Sequence, residues 1–546
     1  WMPSGAPFAV CQAPCSLLTL KGRGSGASKA EDLAMEWGCP RQVRSIWLIA
    51  VGVLNGSCST ITRELSWGHS QCLLGPLLLR PPKVPLFRRG GRVVAAGTGD
   101  HRRGKTVFFL AACGWAGAAP HWLDPSRSLI PAFTLAMVLG GYALRTLMRG
   151  PDQQTRQSKG SDPDDSPSFS AAMSAELFPT VDVVVAARDE EAVVTRLVER
   201  LSALRYPDGR LSLCVVDDGS EDRTPDRLAE LQVRFPSLRV ISRPRNAGGG
   251  KSGALNAALA QTEGEWLLIL DADAQLSSDQ LERLMPFATR GDWSAVQMRK
   301  AVTNASSNWL TRAQAMEMAF DAQLQDGRLA GGGVAELRGN GELLRRDLLE
   351  ACGGFNEDTV TDDLDLSFRL ILQGARIGIL WDPPVQEEAV ESLQALWKQR
   401  QRWAEGGLQR FLDYWSGLIS SRLTPAQRRD MACFFLLQYA LPVVSWADLF
   451  TSVISRTTPA YWPLSIVAFS VSGVAYWRGC RRPSEGPDLP SPGLFNLLLG
   501  IAYLSHWFLV IPWVTLRMAF LPKRLVWAKT THSGQDETLQ ASEPGI

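Results

Sequence analysis

Histidine is scarce: the 546 residues hold five, and none lies between residues 176 and 416, where the chemistry-bearing motifs concentrate. A histidine base and a histidine metal site are thereby excluded from that region. The ten cysteines form no C-x-x-C pair and no regular frame, so neither a disulfide scaffold nor a zinc ribbon is indicated, and the central region reads as reduced and cytosol-facing. Charge of one sign is lacking too. Against 57 basic residues stand 55 acidic ones, for a net charge of +2, whereas a nucleic-acid binder would carry a basic excess. Long apolar runs are missing from residues 1–100, where the block Ile46 to Leu54 is about half of the ~20 residues that a membrane helix needs. That segment starts at Trp1, holds half of the cysteines and is broken by Gly, Pro and Arg. It receives no fold and is expected to be a disordered or non-native extension from a mis-set translation start.

What is present begins at residue 101. Apolar stretches at Thr106 to Leu123 and Ser128 to Met148, bracketed by Arg102, Arg103, Lys105, Arg145 and Arg149, predict a transmembrane hairpin over 101–149 with both basic ends in the cytosol. Residues 150–175, rich in Ser, Asp, Gln and Pro, read as a linker. Over 176–390, strands are expected at Val181 to Ala187, Leu211 to Asp217, Leu238 to Ser242, Glu265 to Asp271 and Ser294 to Arg299, with helical patterns between them. This alternation implies an α/β domain with a parallel-rich sheet, whose ligands bind beyond the carboxyl ends of the strands. Residues 391–428 read as an amphipathic, interfacial segment and 429–522 as transmembrane helices, with apolar stretches at Met431 to Ser455, Ala460 to Trp477 and Leu494 to Leu521. Residues 523–546 form a polar tail. Three C-terminal spans would leave Lys523, Arg524 and Lys529 outside, against the positive-inside tendency, so one stretch is expected to be re-entrant or interfacial.

Acidic residues fall where strands end: Asp217 and Asp218 in VVDDGS, Asp271 and Asp273 in LILDADAQL. In extended geometry residues two apart face the same side, so Asp271 and Asp273 could converge on one hard cation, Mg²⁺ or Mn²⁺ shared with substrate phosphates, although such a pair also serves as a turn. NAGGGKSGALN lacks the first glycine of a P-loop, since Arg245 stands there. It does match G-x-G-x-x-G at Gly248, Gly250 and Gly253, which raises a dinucleotide-binding Rossmann site and an NAD(P)-dependent oxidoreductase as a competing reading. The cluster follows the third strand rather than the first and carries Lys251, which favours a flexible loop neutralising a diphosphate. Asp362 and Asp363 precede an amphipathic helix, as the helix dipole alone would favour. Gln399, Arg402 and Trp403 share one face of the next helical segment.

The ordered set DDG, D-x-D, T-D-D and Q-x-x-R-W resembles the membrane-bound family 2 glycosyltransferases of GT-A fold, over about Val181 to Trp415. QMRKAVTNA, ELRGNGELLRR, CGGFNEDTVTDDLDLSFRL and LWKQRQRWAEGGLQRFLDYW are similar to the cyanobacterial-type monoglucosyldiacylglycerol synthases. The resemblance implies a UDP-sugar-dependent hexosyltransferase that moves glucose from UDP-glucose to diacylglycerol with inversion, in a bacterial inner or thylakoid membrane. It implies that Ala187 to Glu190 with Asp217 and Asp218 hold the nucleobase, Asp218 at uracil. Lys251 would sit near the nucleotide, and Asp271 and Asp273 would serve the metal, Asp273 more directly. Asp363 would be the general base, with Asp362 where many relatives have Glu. Gln399, Arg402 and Trp403 would stand at the acceptor mouth and pyrophosphate. Within the same resemblance remain a processive β-glycan synthase and another lipid glycosyltransferase; outside it remains a catalytically dead binding module.

Overall fold

The computed structural model describes residues 101–149 and 178–522. The extension over 1–100, the linker over 150–175 and the tail over 523–546 lie outside the described residues. Two helices come first, α1 (His101–Ala118) and α2 (Ile130–Met148). The sheet then forms where the chain supplies apolar residues to both strand faces. In β1 (Val181–Ala187), Val181, Val183, Val185 and Ala187 enter one layer and Val184 and Ala186 the other. With β1, β2 (Leu211–Asp217), β3 (Leu238–Ser242) and β4 (Trp266–Leu270) form a parallel set. Helices α3 (Val194–Ser202), α4 (Thr224–Arg234) and α5 (Gly250–Leu259) connect them.

Beyond β4 come α6 (Gln280–Arg290), β5 (Ala295–Val302), the 22-residue α7 (Trp309–Ala330), β6 (Glu342–Arg345), α8 (Arg346–Ala351), α9 (Asp362–Leu372) and β7 (Ile377–Glu387). The seven strands lie in the order β3-β2-β1-β4-β6-β5-β7, with β6 antiparallel to both neighbours and β7 parallel to β5. The sheet is therefore parallel-rich, as expected, with one reversed strand that was not. Neither β6 nor β7 was expected. The strand before the aspartate pair stops at Leu270, so Asp271 and Asp273 stand in the following turn, closed by the Ala274 N–H on the Asp271 carbonyl. Strand alternation is thus not what brings them together.

The chain continues through α10 (Leu393–Leu418), α11 (Pro425–Ser455, with a π-turn at Leu436–Ala440), α12 (Trp462–Arg481), α13 (Leu494–Leu504) and α14 (Trp507–Phe520). Among the described residues, α2, α11 and the span Leu494–Phe520 are long and apolar enough to cross a membrane. The expected interfacial segment is a more deeply seated helix than an amphipathic surface helix would be. Trp397 and Trp415 of α10 are exposed, but Leu396, Arg400, Ala404 and every residue from Glu405 to Phe411 are buried. One hydrophobic cluster runs from Val184 and Val216 of the sheet through Leu366 and Phe368 of α9 and Phe411 of α10 to Tyr439 and Val514 of the apolar helices. The sheet's lower core and the apolar helix layer are thus one packed body.

Charges are buried inside this junction. Arg328 of α7 bonds Asp430 of α11 at 3.0 Å, Glu336 accepts from Arg338 and Arg410, each at 3.1 Å, and Tyr142 of α2 donates to Asp430 at 2.5 Å. Removing one partner leaves the other charged and dry, which typically costs about 3–5 kcal/mol. Asp430→Ala is therefore expected to lower the thermal unfolding midpoint of the detergent-purified protein sharply, while Arg328→Met combined with Asp430→Leu recovers most of the loss. An Asp430→Ala protein as stable as its parent would refute this account.

Candidate active site

One cavity of about 670 Å³ opens at the carboxyl ends of the central strands and extends down among the apolar helices. Glu190, Lys251, Asp271, Asp273, Asp362, Asp363, Gln399, Arg402 and Trp403 all line it. Motifs as far apart in the chain as Glu190 and Trp403 thus share one space. Ala187, Asp217 and Asp218 do not line it. They stand at the adjoining ends of β1 and β2, with Ala187 paired to Asp217 and the Asp218 N–H bonded to the Ala187 carbonyl at 2.9 Å. The Asp218 carboxylate is taken by Arg243, in a short contact, and by Arg188 at 3.6 Å. Burial raises its pKa, and these guanidiniums offset only part of the rise.

Local sequence explains each placement. Gly248, Gly249 and Gly250 have φ of 77°, 72° and 53°, a run that side chains tolerate poorly, and it turns the chain sharply from β3 into α5. Arg243 holds this loop by donating to the Gly248 carbonyl at 2.8 Å. Lys251, in the first turn of α5, is thereby delivered to the turn after β4. Its ammonium bonds the Asp271 carboxylate at 2.5 Å and the Gly339 carbonyl at 2.8 Å. Burial works against both charges, but each holds the other ionised: the Lys251 pKa is raised and that of Asp271 is lowered, Lys300 and Arg402 assisting the latter.

Asp362 and Asp363 occupy the first turn of α9, after Thr361. Helix α10 packs against that turn through a glycine: a Cβ on Gly406 would lie 2.1 Å from the Thr361 hydroxyl oxygen. No larger residue could hold Q-x-x-R-W and T-D-D this close. Trp403 lies under the Arg400 guanidinium, 3.9 Å from its ring centre, and Arg400 also donates to Gln399 at 2.9 Å and pairs with buried Glu317.

Reading the motifs alone missed two site residues. Glu342 of β6 is buried, and its carboxylate accepts from the Gly339 N–H at 2.6 Å. Burial, then the charges of Asp363 and Asp362, pushes its pKa up to about 8, while burial and Asp362 push Asp363 up to about 6. Burial and mutual repulsion thus hold both carboxyls above the ordinary range, and the two titrate as a pair. Lys300 of β5 lines the cavity, whereas Glu342 lies behind its wall. It bonds Glu387 at 2.9 Å and lies 5.9 Å from the Trp403 ring centre. Its signal was a lysine in an otherwise buried strand; Glu342 had none, because a four-residue strand between glycine and arginine shows no period.

Asp271 and Asp273 are the carboxylates of the cavity that could hold a cation, and no cluster of three or more His, Cys, Asp or Glu is found among the described residues. Two carboxylates suit Mg²⁺ or Mn²⁺, which keep positions for water and for substrate phosphates, and they fit zinc poorly.

Residues 179–406 match the glycosyltransferase-like family 2. The β-monoglucosyldiacylglycerol synthases of Trichormus variabilis and a Synechocystis species are 41% and 43% identical to the chain, each alignment covering 80% of it and 90% of the relative. The chain belongs to glycosyltransferase family 2. It is a hexosyltransferase with the GT-A fold, as its motif order implied, and the oxidoreductase reading falls away. The Gly-rich loop of this glycosyltransferase follows β3 in a sheet with a reversed strand, where a dinucleotide fold would place it after the first strand of a parallel one. Among solved structures, a mannosyltransferase from Pyrobaculum calidifontis, in complex with GDP-Man and Mn²⁺, aligns with 76% of this chain and 99% of its own at 20% identity and a TM-score of 0.45, a likeness too slight to carry residue roles across.

Proposed function

We propose that this glycosyltransferase moves glucose from UDP-glucose to diacylglycerol, giving β-monoglucosyldiacylglycerol, in a bacterial inner or thylakoid membrane with its catalytic domain in the cytosol. The observation that carries this reading is the single cavity that joins the carboxylate cluster to a chamber walled by membrane-length helices. A charged donor and an apolar acceptor need such a junction. The relatives named β-monoglucosyldiacylglycerol synthase support the same assignment. A processive glycan synthase would need a polar channel for its product, and the lower cavity is largely aliphatic and aromatic. Membranes containing the protein, supplied with radiolabelled UDP-glucose, are expected to place the label in one chloroform-soluble monoglucosyl lipid. Label found mainly in insoluble glycan would overturn the lipid assignment.

In this mechanism Asp363 removes the proton from the free glycerol hydroxyl as that oxygen attacks the anomeric carbon from the face opposite UDP. The bond between that carbon and the diphosphate oxygen breaks, its electrons leave with UDP, and α becomes β in one displacement. General-base assistance contributes about 10²- to 10⁴-fold. Lys251, Lys300 and Arg402 face the negative charge that grows on the diphosphate, in a pocket where fixed cations act strongly. Asp218 and the β1 end serve the nucleobase, and Gln399 and Trp403 border the acceptor. Asp271 and Asp273 would hold Mg²⁺ or Mn²⁺, which supplies further charge stabilisation at the diphosphate.

Asp363→Asn keeps shape but cannot take the proton, so transfer is expected to fall by about 10²-fold or more while UDP-glucose affinity stays within a few fold. In the parent, the rate is expected to fall as pH drops through about 6, because the protonated carboxyl cannot act as base. Near-normal transfer by Asp363→Asn, or a parent rate indifferent to pH between 5 and 7, would place the base elsewhere (the range is about one unit either side of that value).

The metal assignment has its own check. Excess EDTA is expected to abolish transfer, with Mg²⁺ or Mn²⁺ restoring it, and Asp273→Asn should require far more metal for whatever activity remains. Full activity in EDTA would remove the metal from the scheme.

A further inference from the structure

The lower limb of the cavity contains polar groups that the transfer mechanism does not use. Its walls include Leu139 and Ala143 of α2, Leu437 of α11, Ala468 and Val471 of α12, and Phe508 of α14. These are elements of membrane-spanning length or their immediate neighbours. Into this apolar wall projects Gln438, on the π-turn Leu436–Ala440. A π-turn adds a residue to a helical turn, redirects the side chains around it and recurs at functional sites. Here it places Tyr439 into the protein core and Gln438 on the cavity wall. Ser472, also on that wall, is satisfied by donating to the Ala468 carbonyl at 2.8 Å, and Glu317 is bonded by Arg400, Tyr503 and Trp507. Gln438 thus stands as an amide in an apolar lining without a comparable internal anchor.

We propose that the lower limb is the acceptor's own binding site: one acyl chain lies between α2, α11 and α12, and the Gln438 amide donates to an ester carbonyl of the diacylglycerol. This placement rests on the diacylglycerol reading above and specifies which residues read the lipid. The chemistry matches at each point. An ester carbonyl is an acceptor without a donor of its own, which an amide N–H satisfies, and an acyl chain is the ligand that an aliphatic wall solvates at no polar cost. The continuity of the cavity sets the order of groups along it, with chain in the lower limb, ester at the π-turn and free hydroxyl at Asp363. A glycan in the same space would meet too few polar partners, whereas a lone fatty chain would leave Gln438 unpaired.

The test uses the full-length protein in mixed micelles with a series of acceptors: diacylglycerols of long and short chain, and the long-chain dialkyl ether analogue, which has no ester carbonyl. Ala468→Phe narrows the limb, and overpacking of this kind is expected to lower the ratio of kcat/KM for long over short chains roughly tenfold. Val471→Ala widens the limb and should move the ratio the other way, which guards against a narrowed variant that merely misfolds. The parent is expected to prefer ester over ether roughly fivefold, as one net hydrogen bond allows, and Gln438→Leu should erase that preference. If neither Ala468→Phe nor Val471→Ala changes the chain-length ratio, the chain is not in this limb. If Gln438→Leu weakens ester and ether alike, Gln438 does not hold the ester. A parent that glucosylates none of these acceptors, yet glucosylates another lipid or a glycan, would overturn the diacylglycerol reading itself and this placement with it.

Discussion

Glu336 has no access to water and faces three guanidiniums, those of Arg328, Arg338 and Arg410. The guanidiniums outweigh the burial and keep its carboxyl ionised, with a pKa of about 2. Each arginine belongs to a different part of the molecule: Arg328 to α7, Arg410 to α10 and Arg338 to the strand-free segment that leads into β6. Through Asp430 and Tyr142 the same network reaches α11 and α2. An ion cluster this dry does not maximise stability, since apolar residues of equal shape often do as well. Its physical consequence is geometric, because five charged side chains and a phenol satisfy one another in very few arrangements. The segment that it holds carries Gly339 and runs into Glu342 of β6, and a Cβ at Gly339 would lie 3.4 Å from the Asp363 carboxylate. The position of the base thus depends on a network that also sets the apolar helices against the catalytic domain.

That coupling explains how much of the molecule could be read from its sequence. The first five strands were legible because each buries residues on both faces and ends in a polar turn. β7 was not, since Asp382, Pro383 and Pro384 interrupt it, and such residues normally argue against a strand. They are tolerated because β7 lies at the edge of the sheet. The grouping of Asp271 with Asp273 was anticipated for a mistaken reason: both line the cavity, but a turn rather than strand alternation brings them there. In α10 the aromatic and basic composition pointed to a membrane surface. Two of its arginines, Arg400 and Arg410, turn inward to Glu317 and Glu336, partners 83 and 74 residues away. No local pattern reports a partner at that separation.

The site shows the same division. Motif residues were legible because their chemistry is concentrated in short runs, and Lys251, Asp271, Asp363 and Arg402 occupy one cavity. Glu342 and Lys300 were not, because their importance comes from where β6 and β5 lie, not from their neighbours in the chain. Glu342 matters through proximity. A carboxyl that shares its surroundings with Asp362 and Asp363 cannot ionise alongside them without repulsion, so burial and these two charges raise its pKa.

A transferase that joins a nucleotide sugar to a membrane lipid must solve two solvation problems in one place. The diphosphate requires cations in a pocket polar enough to receive it, and the acyl chains require a wall without unpaired polar groups. This chain separates the two along one cavity instead of building two sites. Lys251 is kept ionised by Asp271 and Lys300 by Glu387, so their charge does not depend on bound substrate. Bringing the helices close enough to wall the apolar limb requires small residues at their crossings, as at Gly140 of α2, where a Cβ would lie 2.6 Å from the Val467 side chain of α12. The glycine at 406 sets how near Trp403 and Asp363 can come. Small residues thus act at both levels, Gly140 where the helices close on the apolar limb and Gly406 where α10 closes on the turn that carries the base.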